Sequence, residues 1–288
     1  MRQTNILIFF ILCLAFLCEG QVLAEALTRD SGADTFFRAN KEYSAGQKAI
    51  AEKREQEAVE KFEHAVQLYE KLLDSDFING QIYYNLGNSY YRLGMSGKAI
   101  IYYRRAEELL PRDADIKANI NLLKRDFEDK ATIRQLPEIL KIVSFWYFFL
   151  NLNEITSITI YMYLALMASI LSFVFIRVQW LKNIIIIFAS CLLVLVISLG
   201  IKAYSQHSIE RGVVIADESK IRYGPGEEYE PKFEIHEGAE VRIEEKKDRW
   251  YKVYVYVDVD VEDLRDDEDK KEVEFRIGWI PEAEVGKI

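Results

Sequence analysis

The chain has 288 residues, of which half are hydrophobic, 29% are charged and 13% are aromatic. This composition excludes a disordered, collagen-like or disulfide-rich protein. The net charge of −9, from 37 basic and 46 acidic side chains, argues against nucleic-acid binding, because phosphate contacts need clustered Lys and Arg. All three cysteines lie inside apolar runs, so no exported soluble part can form an intrachain disulfide.

Residues 1–24 have the pattern of a secretory signal peptide. Arg2 supplies a positive charge, residues 6–18 are uninterrupted apolar sequence, and small residues follow at the cleavage position. Cleavage is predicted after Ala24 or, alternatively, after Gly20. An uncleaved anchor is a further alternative, and it would leave the next domain on the same side of the membrane.

Residues 25–137 are helical in pattern, and the segment 80–113 carries the spacing of a tetratricopeptide (TPR) repeat. Small residues stand where two antiparallel helices would touch, larger ones stand opposite, and a proline stops the second helix. The residues at these positions are Tyr83, Leu86, Gly87, Tyr90, Gly94, Ala99, Tyr103, Ala106 and Pro111.

One repeat cannot bury its own face, so we expect neighbouring helices on both sides. A first repeat is predicted at 35–79, with a first helix that ends at Gly46 and with Ala65 and Tyr69 packing in its second helix. The charged stretch 47–63 exceeds the repeat length, which indicates an extended second helix or, alternatively, a separate short helix. Residues 114–129 predict a single capping helix.

The first helices of such an array line a concave groove, and we predict that this groove binds a peptide segment of a protein partner. Amides can pair with a peptide backbone, tyrosine rings give rigid contact area, and arginine can bind a carboxylate. Alternatively, Asn85 only satisfies helix–helix contacts and Tyr84 belongs to the core. The predicted groove residues are Gln81, Tyr84, Asn85, Asn88, Tyr91, Arg92, Asn119 and Arg125.

Two apolar stretches, 156–176 and 183–203, are each long enough as helices to cross the bilayer core of roughly 30 Å. The turn between them, 177–182, contains Arg177, Trp180 and Lys182, and the positive-inside rule predicts that it lies in the cytoplasm. Both flanking soluble parts then face outward, in agreement with the export signal. A buried hairpin of a soluble protein is the alternative.

Within the segment 138–155, residues 139–150 form an apolar patch that is rich in aromatic residues but too short to cross a bilayer. We interpret it as an interfacial segment that holds the upstream domain against the membrane. The alternative is that it forms the last packed helix of that domain.

Residues 209–288 change to the two-residue alternation of β-strands, with glycines at the turns, and predict a small barrel of five or six strands. Four motifs resemble a bacterial SH3-like domain: R-x-G-P-G at 222–226, H-E-G-x-x-V at 236–241, W-x-K-V at 250–253 and G-W-I-P at 278–281. An insertion at 258–274, with ten acidic and three basic side chains, departs from that pattern and favours a solvated loop.

The sequence contains no nucleophile-elbow serine, no phosphate-binding glycine loop and no metal-spaced cluster of His, Asp and Glu. We therefore predict a protein that is not an enzyme and needs no cofactor or metal. A channel or transporter is disfavoured because the apolar stretches carry no ionisable residue near mid-span.

These parts predict an α+β multidomain membrane protein: a TPR array, a two-helix transmembrane hairpin and a C-terminal all-β SH3-like barrel. Their order, with Y-N-L-G-N-S-Y at 84–90 and G-K-A-I at 97–100, resembles the E-type member of the Bacteroides aerotolerance (Bat) family over the whole chain. The resemblance implies a multi-pass protein of the bacterial inner membrane with both soluble domains in the periplasm. It also implies protein partners, namely von Willebrand factor A-type Bat proteins linked to a MoxR-type ATPase.

Two functions follow as hypotheses. The first is an interaction scaffold of a Bat-type complex with a role in aerotolerance or envelope stress, and the second is an envelope sensor whose SH3-like domain binds peptidoglycan. The tail from residue 210 onward carries 24 acidic and 14 basic side chains, a net charge of −10. Because the cell wall is itself anionic, we rank the sensor second.

Overall fold

The computed structural model describes residues 32–127, 145–176, 178–259 and 272–288. The predicted signal peptide, Arg177 of the predicted turn and most of the acidic insertion lie outside these residues. The chain divides into two units, the first ending at Leu93 and the second beginning at Gly94. This division falls between the two helices of the repeat predicted at 80–113.

The described part of the first unit contains three helices: α1 at 32–51, α2 (Glu55–Asp74) and α3 (Gly80–Arg92). Small side chains and aromatic rings fill its interior, with Ala39, Ala65, Phe62 and Tyr69 fully buried. The predicted packing roles of Ala65 and Tyr69 are therefore confirmed. At the start of α3, the side chain of Asn79 accepts a hydrogen bond from the backbone N–H of Gln81 at 2.8 Å, a standard helix N-cap.

The prediction that the first helix ends at Gly46 is wrong, because α1 continues through this residue to position 51. A Cβ atom at position 46 would lie 2.8 Å from the ring of Phe62 on α2. Glycine here lets two helices approach closely, and it does not stop the helix. Since α2 begins at Glu55, the charged stretch 47–63 forms the end of α1 and the start of α2.

The second unit begins with α4 (Ser96–Leu109) and α5 (Ala114–Asp126). The position of Pro111 after α4 confirms its predicted role as a helix stop. Asp113 caps α5 by accepting hydrogen bonds from the backbone N–H groups of Asp115 and Ile116 at 2.9 and 3.2 Å. Within α4, Ala99, Tyr103 and Ala106 are buried, as the repeat spacing predicts.

A short helix, α6 (Phe145–Phe149), precedes two long helices, α7 (Leu152–Ile176) and α8 (Gln179–Ser208), which pack against each other. By length and composition, both long helices could cross a membrane. They extend beyond the predicted spans, since Leu152–Ile155 and Gln179–Lys182 are already helical. Large apolar side chains such as Tyr161, Phe175 and Leu193 project from their surfaces.

The described residues after α8 form one antiparallel sheet of seven strands in the order β3-β2-β6-β5-β4-β1-β7. A core of alternating apolar residues, including Ile221, Ile235, Val253 and Ile280, fills its inner face. The strands are β1 (Arg211–Val214), β2 (Glu218–Arg222), β3 (Pro231–His236), β4 (Glu240–Lys247), β5 (Trp250–Val259), β6 (Glu272–Pro281) and β7 (Val285–Lys287).

The predicted barrel is not closed. Among the described strands, β3 pairs with β2 and β7 pairs with β1, and no pairing joins β3 to β7. At the β7 edge, the Lys287 carbonyl accepts a hydrogen bond from Arg105 on α4 at 2.8 Å. The edge strand therefore meets a helix where closure would require another strand.

Candidate functional site

The predicted groove residues of the first unit lie along α3. Gln81 and Arg92 are exposed, while Tyr84, Asn88 and Tyr91 are half-buried. Gln81, Tyr84, Asn88 and Tyr91 follow one another at intervals of three or four residues, and Arg92 lies four residues after Asn88. This spacing puts all of them on one side of the helix. This stripe of amide, tyrosine and guanidinium groups has the chemistry that peptide binding requires.

Asn85, the remaining predicted residue of α3, takes part in the packing of the first unit. Its side-chain N–H donates a hydrogen bond to Oδ1 of Asn40 on α1 at 2.9 Å. The same oxygen accepts a hydrogen bond from the hydroxyl of Tyr69 on α2 at 2.6 Å. Asn40 thus joins three helices, and the amide of Asn85 has the helix–helix role that the sequence left open as an alternative.

Burial raises the pKa of Tyr69 well above the ordinary value for tyrosine, and the nearby Asn85 side chain offsets this only in part. The hydroxyl therefore stays protonated and remains a donor at all physiological pH values. A buried, satisfied cluster of this kind fixes the mutual orientation of α1, α2 and α3. It supports the surface stripe of α3 without being part of it.

The other two predicted groove residues, Asn119 and Arg125, lie on α5 in the second unit. Asn119 is half-buried and Arg125 is exposed. Between them, Lys124 forms an ion pair with Glu240 of the sheet, with the Lys124 Nζ 3.1 Å from the carboxylate. One side of α5 is therefore occupied by the β-sheet.

An interface between α4, α5 and the sheet is the main feature that sequence reasoning missed. Arg104 on α4 donates two hydrogen bonds to Oε1 of Glu240, from Nε at 3.0 Å and from Nη2 at 2.6 Å. Its Nη1 also donates to Glu107 at 2.6 Å. The side chains of Arg104 and Glu240 are only 19% and 11% exposed, so the pair is largely shielded from water.

Burial alone would raise the pKa of Glu240, but the positive charges of Arg104 and Lys124 outweigh it, so the pKa lies below the ordinary value. Burial would likewise lower the pKa of Arg104, and attraction to Glu240 and Glu107 raises it instead. Both groups stay ionised at neutral pH. Arg104 on α4 and Glu240 in the sheet thus each have oppositely charged partners, and these ion pairs hold the interface together.

Close apolar contacts complete this interface. The ring of Phe127 lies against Gly238 and fills the place that a Cβ atom would take, and Ile101 of α4 lies against Gly286 of β7. In addition, the backbone N–H of Gly97 donates a hydrogen bond to Glu237 at 2.6 Å. The hydrogen-bonded partners lie more than 130 residues apart, so no local periodicity could reveal them.

A second set of contacts connects α6 to its neighbours in the second unit. Arg112, after α4, pairs with Glu154 at the start of α7 and lies over the ring of Phe149 at 5.0 Å. The indole N–H of Trp146 donates to Ser198 of α8 at 3.3 Å. The described part of the predicted interfacial segment is thus packed on one side, while Phe145, Phe148 and Phe149 stay exposed.

Residues 43–112 match the sequence profile of the tetratricopeptide repeat family. This match covers less than half of the chain and spans α2, α3 and α4 together with the end of α1. No curated protein matches the chain with significance. A tetratricopeptide repeat indicates a role in protein–protein interaction.

Proposed function

We propose that this chain is a membrane-anchored, non-catalytic scaffold that holds a protein partner through the stripe of polar and aromatic residues on α3. The tetratricopeptide repeat at 43–112 is the observation that carries the proposal. On α3, Gln81, Tyr84, Asn88, Tyr91 and Arg92 offer amides, rings and a positive charge along one side. These groups suit an extended peptide that ends in, or contains, a carboxylate.

In this proposal, α7 and α8 cross the membrane and the soluble parts before and after them lie on the same side. The ion pair of Arg104 with Glu240 supports this topology, because it joins a residue before the hairpin to one after it. Two residues in contact cannot lie on opposite sides of a bilayer. Lys182 at the connection of the two helices favours a cytoplasmic turn, and the soluble parts would then face the periplasm.

The order of the parts, similar to that of Bat E-type proteins, leads us to propose von Willebrand factor A-type membrane proteins as partners. In the same proposal, the scaffold acts in aerotolerance or envelope stress and is linked to a MoxR-type ATPase. A scaffold and partner held in one bilayer have a raised effective concentration, so modest contacts on α3 suffice.

A photo-crosslinking residue in place of Asn88, in native membranes, tests the scaffold. We expect mass spectrometry to find adducts with a von Willebrand factor A-type membrane protein. The same probe in place of Gln67, exposed on α2, serves as the matched control and should give no such adduct. Equal adducts from both positions, or none from Asn88, would contradict the proposal.

A second candidate, binding of cell-wall glycan by the sheet, is favoured by two exposed tyrosines near the β2–β3 turn. Tyr223 is 65% exposed and Tyr229 is 43% exposed, and Lys232 lies over the ring of Tyr223 at 5.4 Å. Exposed aromatic rings offer the flat apolar surface on which sugar rings can stack.

Pull-down of the full chain on purified sacculi tests this candidate. The full chain is needed because α4 and α5 cover one end of the sheet. Binding that is lost in Tyr223→Ala and kept in Tyr91→Ala would support the sensor, whereas no binding by the unaltered chain would eliminate it.

A further inference from the structure

A cleft of 460 Å³ opens in the second unit where the end of α4, the aromatic helix α6 and the last turns of α8 come together. Its volume is in the range of small-molecule sites, about 300–1,000 Å³. Tyr147 and Phe148 form an aromatic wall, and Ser205 and Gln206 contribute polar groups from α8. The cleft therefore combines an apolar side with hydrogen-bonding groups.

The charges that line this cleft leave an excess of cations. Glu108 is paired with Arg211 and Glu107 with Arg104, so both carboxylates are already neutralised. The other two charged groups are Lys117 and Lys202. Within the described part of the chain, no ion pair joins either lysine to a carboxylate. The cleft thus presents net positive charge to a ligand.

Lys202 is held in place although it is nearly buried. Its ammonium group donates hydrogen bonds to the backbone carbonyls of Tyr147 and Leu150 at 2.7 and 2.5 Å. It lies at the end of the predicted span 183–203, where a lysine directs its charge out of the hydrocarbon. The ring of Phe148, which lines the cleft, is exposed, and Tyr147 next to it is of a type that is enriched at the level of lipid headgroups.

We propose that this cleft binds the phosphodiester of a membrane phospholipid, with Lys117 and Lys202 as the positive groups that contact the phosphate. The proposal rests on the membrane insertion of α7 and α8 in the proposed function. The hydroxyl of Ser205 and the amide of Gln206 supply neutral donors. The lipid chains extend along the apolar surfaces of the two long helices.

Free inorganic phosphate has the same anionic group as a phospholipid headgroup. The aromatic wall of the cleft is the feature that distinguishes between these two ligands. An aromatic wall adds nothing to the binding of a small, fully hydrated anion. The same wall packs well against the glycerol and upper chain of a lipid. The positive charge and the aromatic wall of the cleft together favour a phospholipid over inorganic phosphate.

Native mass spectrometry of the detergent-purified full chain, titrated with phosphatidylglycerol, tests this inference. We expect the unaltered chain to retain one tightly bound lipid. Lys117→Gln, on an exposed side chain that should not disturb folding, is expected to bind it roughly fivefold more weakly. Lys71→Gln, which removes an exposed lysine from α2, is the matched control and should bind like the unaltered chain.

Inorganic phosphate in excess should neither bind nor displace the lipid. Displacement of the lipid by phosphate would assign the cleft to a soluble anion and overturn the lipid assignment. Equal lipid retention by Lys117→Gln and the unaltered chain would also overturn the lipid assignment. Resistance of the protein to carbonate extraction from membranes is measured in parallel. Extraction by carbonate would refute the membrane anchor and this inference together, whereas resistance with unchanged lipid binding would refute this inference alone.

Discussion

The ion pair between Arg104 and Glu240 joins residues that are 136 positions apart in the chain. A pair shielded from water in this way adds little net stability over apolar packing, yet the loss of one partner is costly. The remaining charge would then be buried without full compensation. At this scale, one shielded carboxylate of the sheet, Glu240, joins α4 and α5 through two basic partners, Arg104 and Lys124.

Arg104→Ala should lower the free energy of unfolding by about 3 kcal/mol, because Glu240 would keep only Lys124 as a partner. Urea unfolding of the full chain in detergent, followed by tryptophan fluorescence, measures this change. Lys246→Ala removes the exposed pair with Glu282 and is the control, for which we expect little change. Equal effects of the two substitutions would show that the interface is not held by this pair.

The lowered pKa of Glu240, caused by Arg104 and Lys124 against the opposing effect of burial, predicts a pH dependence. A carboxyl group with a lowered folded-state pKa stabilises the fold above its unfolded pKa, and this contribution is lost as the pH falls through the folded value. The melting temperature should therefore drop in the acid range below the ordinary pKa of glutamate. Glu240→Gln should melt lower at neutral pH and show a shallower acid drop; an unchanged acid profile would contradict this assignment.

At the scale of elements, the end of α5 is held against the sheet at Gly238. This residue has φ +87°, and the ring of Phe127 occupies the place of a side chain. Gly94 has a similar φ of +76°, but a Cβ there would meet nothing within 4 Å. The two glycines thus share a backbone conformation and differ in their packing.

Alanine at either glycine should cost about 1 kcal/mol of backbone strain. Gly238→Ala should cost about a further 1–3 kcal/mol, because the new Cβ displaces Phe127. Urea unfolding of the two variants side by side separates strain from packing. If Gly94→Ala proved as destabilising as Gly238→Ala, contact of α5 with the sheet would not depend on this close approach.

The helices and strands could be predicted from sequence wherever the information is local. The small residues Gly87, Ala99 and Ala106 predicted the repeat, and the alternation of apolar residues predicted the strands. Gly46 misled the prediction because a glycine has the same sequence signature whether it stops a helix or admits a neighbouring ring. Only the position of Phe62 distinguishes the two cases.

The contact of α4 and α5 with the sheet could not be predicted in this way. Arg104 and Glu240 are ordinary charged residues in their own elements, and only the tertiary fold pairs them. The same contact covers the β7 edge, so the prediction of a closed barrel failed for a non-local reason. Of the predicted groove, peptide binding by the stripe of α3 remains a prediction, while Asn85 forms a hydrogen bond within the helix packing.

At the scale of the whole molecule, the proposed function depends on which side of the membrane each part occupies. The helices before the hairpin and the sheet after it are in direct contact in the second unit. A partner in the same membrane could reach α3 only if its own soluble part lies on that side. The interaction proposal and the topology therefore depend on each other.

Labelling of single cysteines with a membrane-impermeant maleimide, in a cysteine-free background, tests this topology most directly. We predict that Ser75→Cys, after α2, and Asp248→Cys, in the β4–β5 turn, react from the periplasmic side in intact cells. Lys182→Cys should react only after the membrane is opened. Labelling of positions 75 and 248 from opposite sides, or of position 182 from the periplasm, would contradict the account.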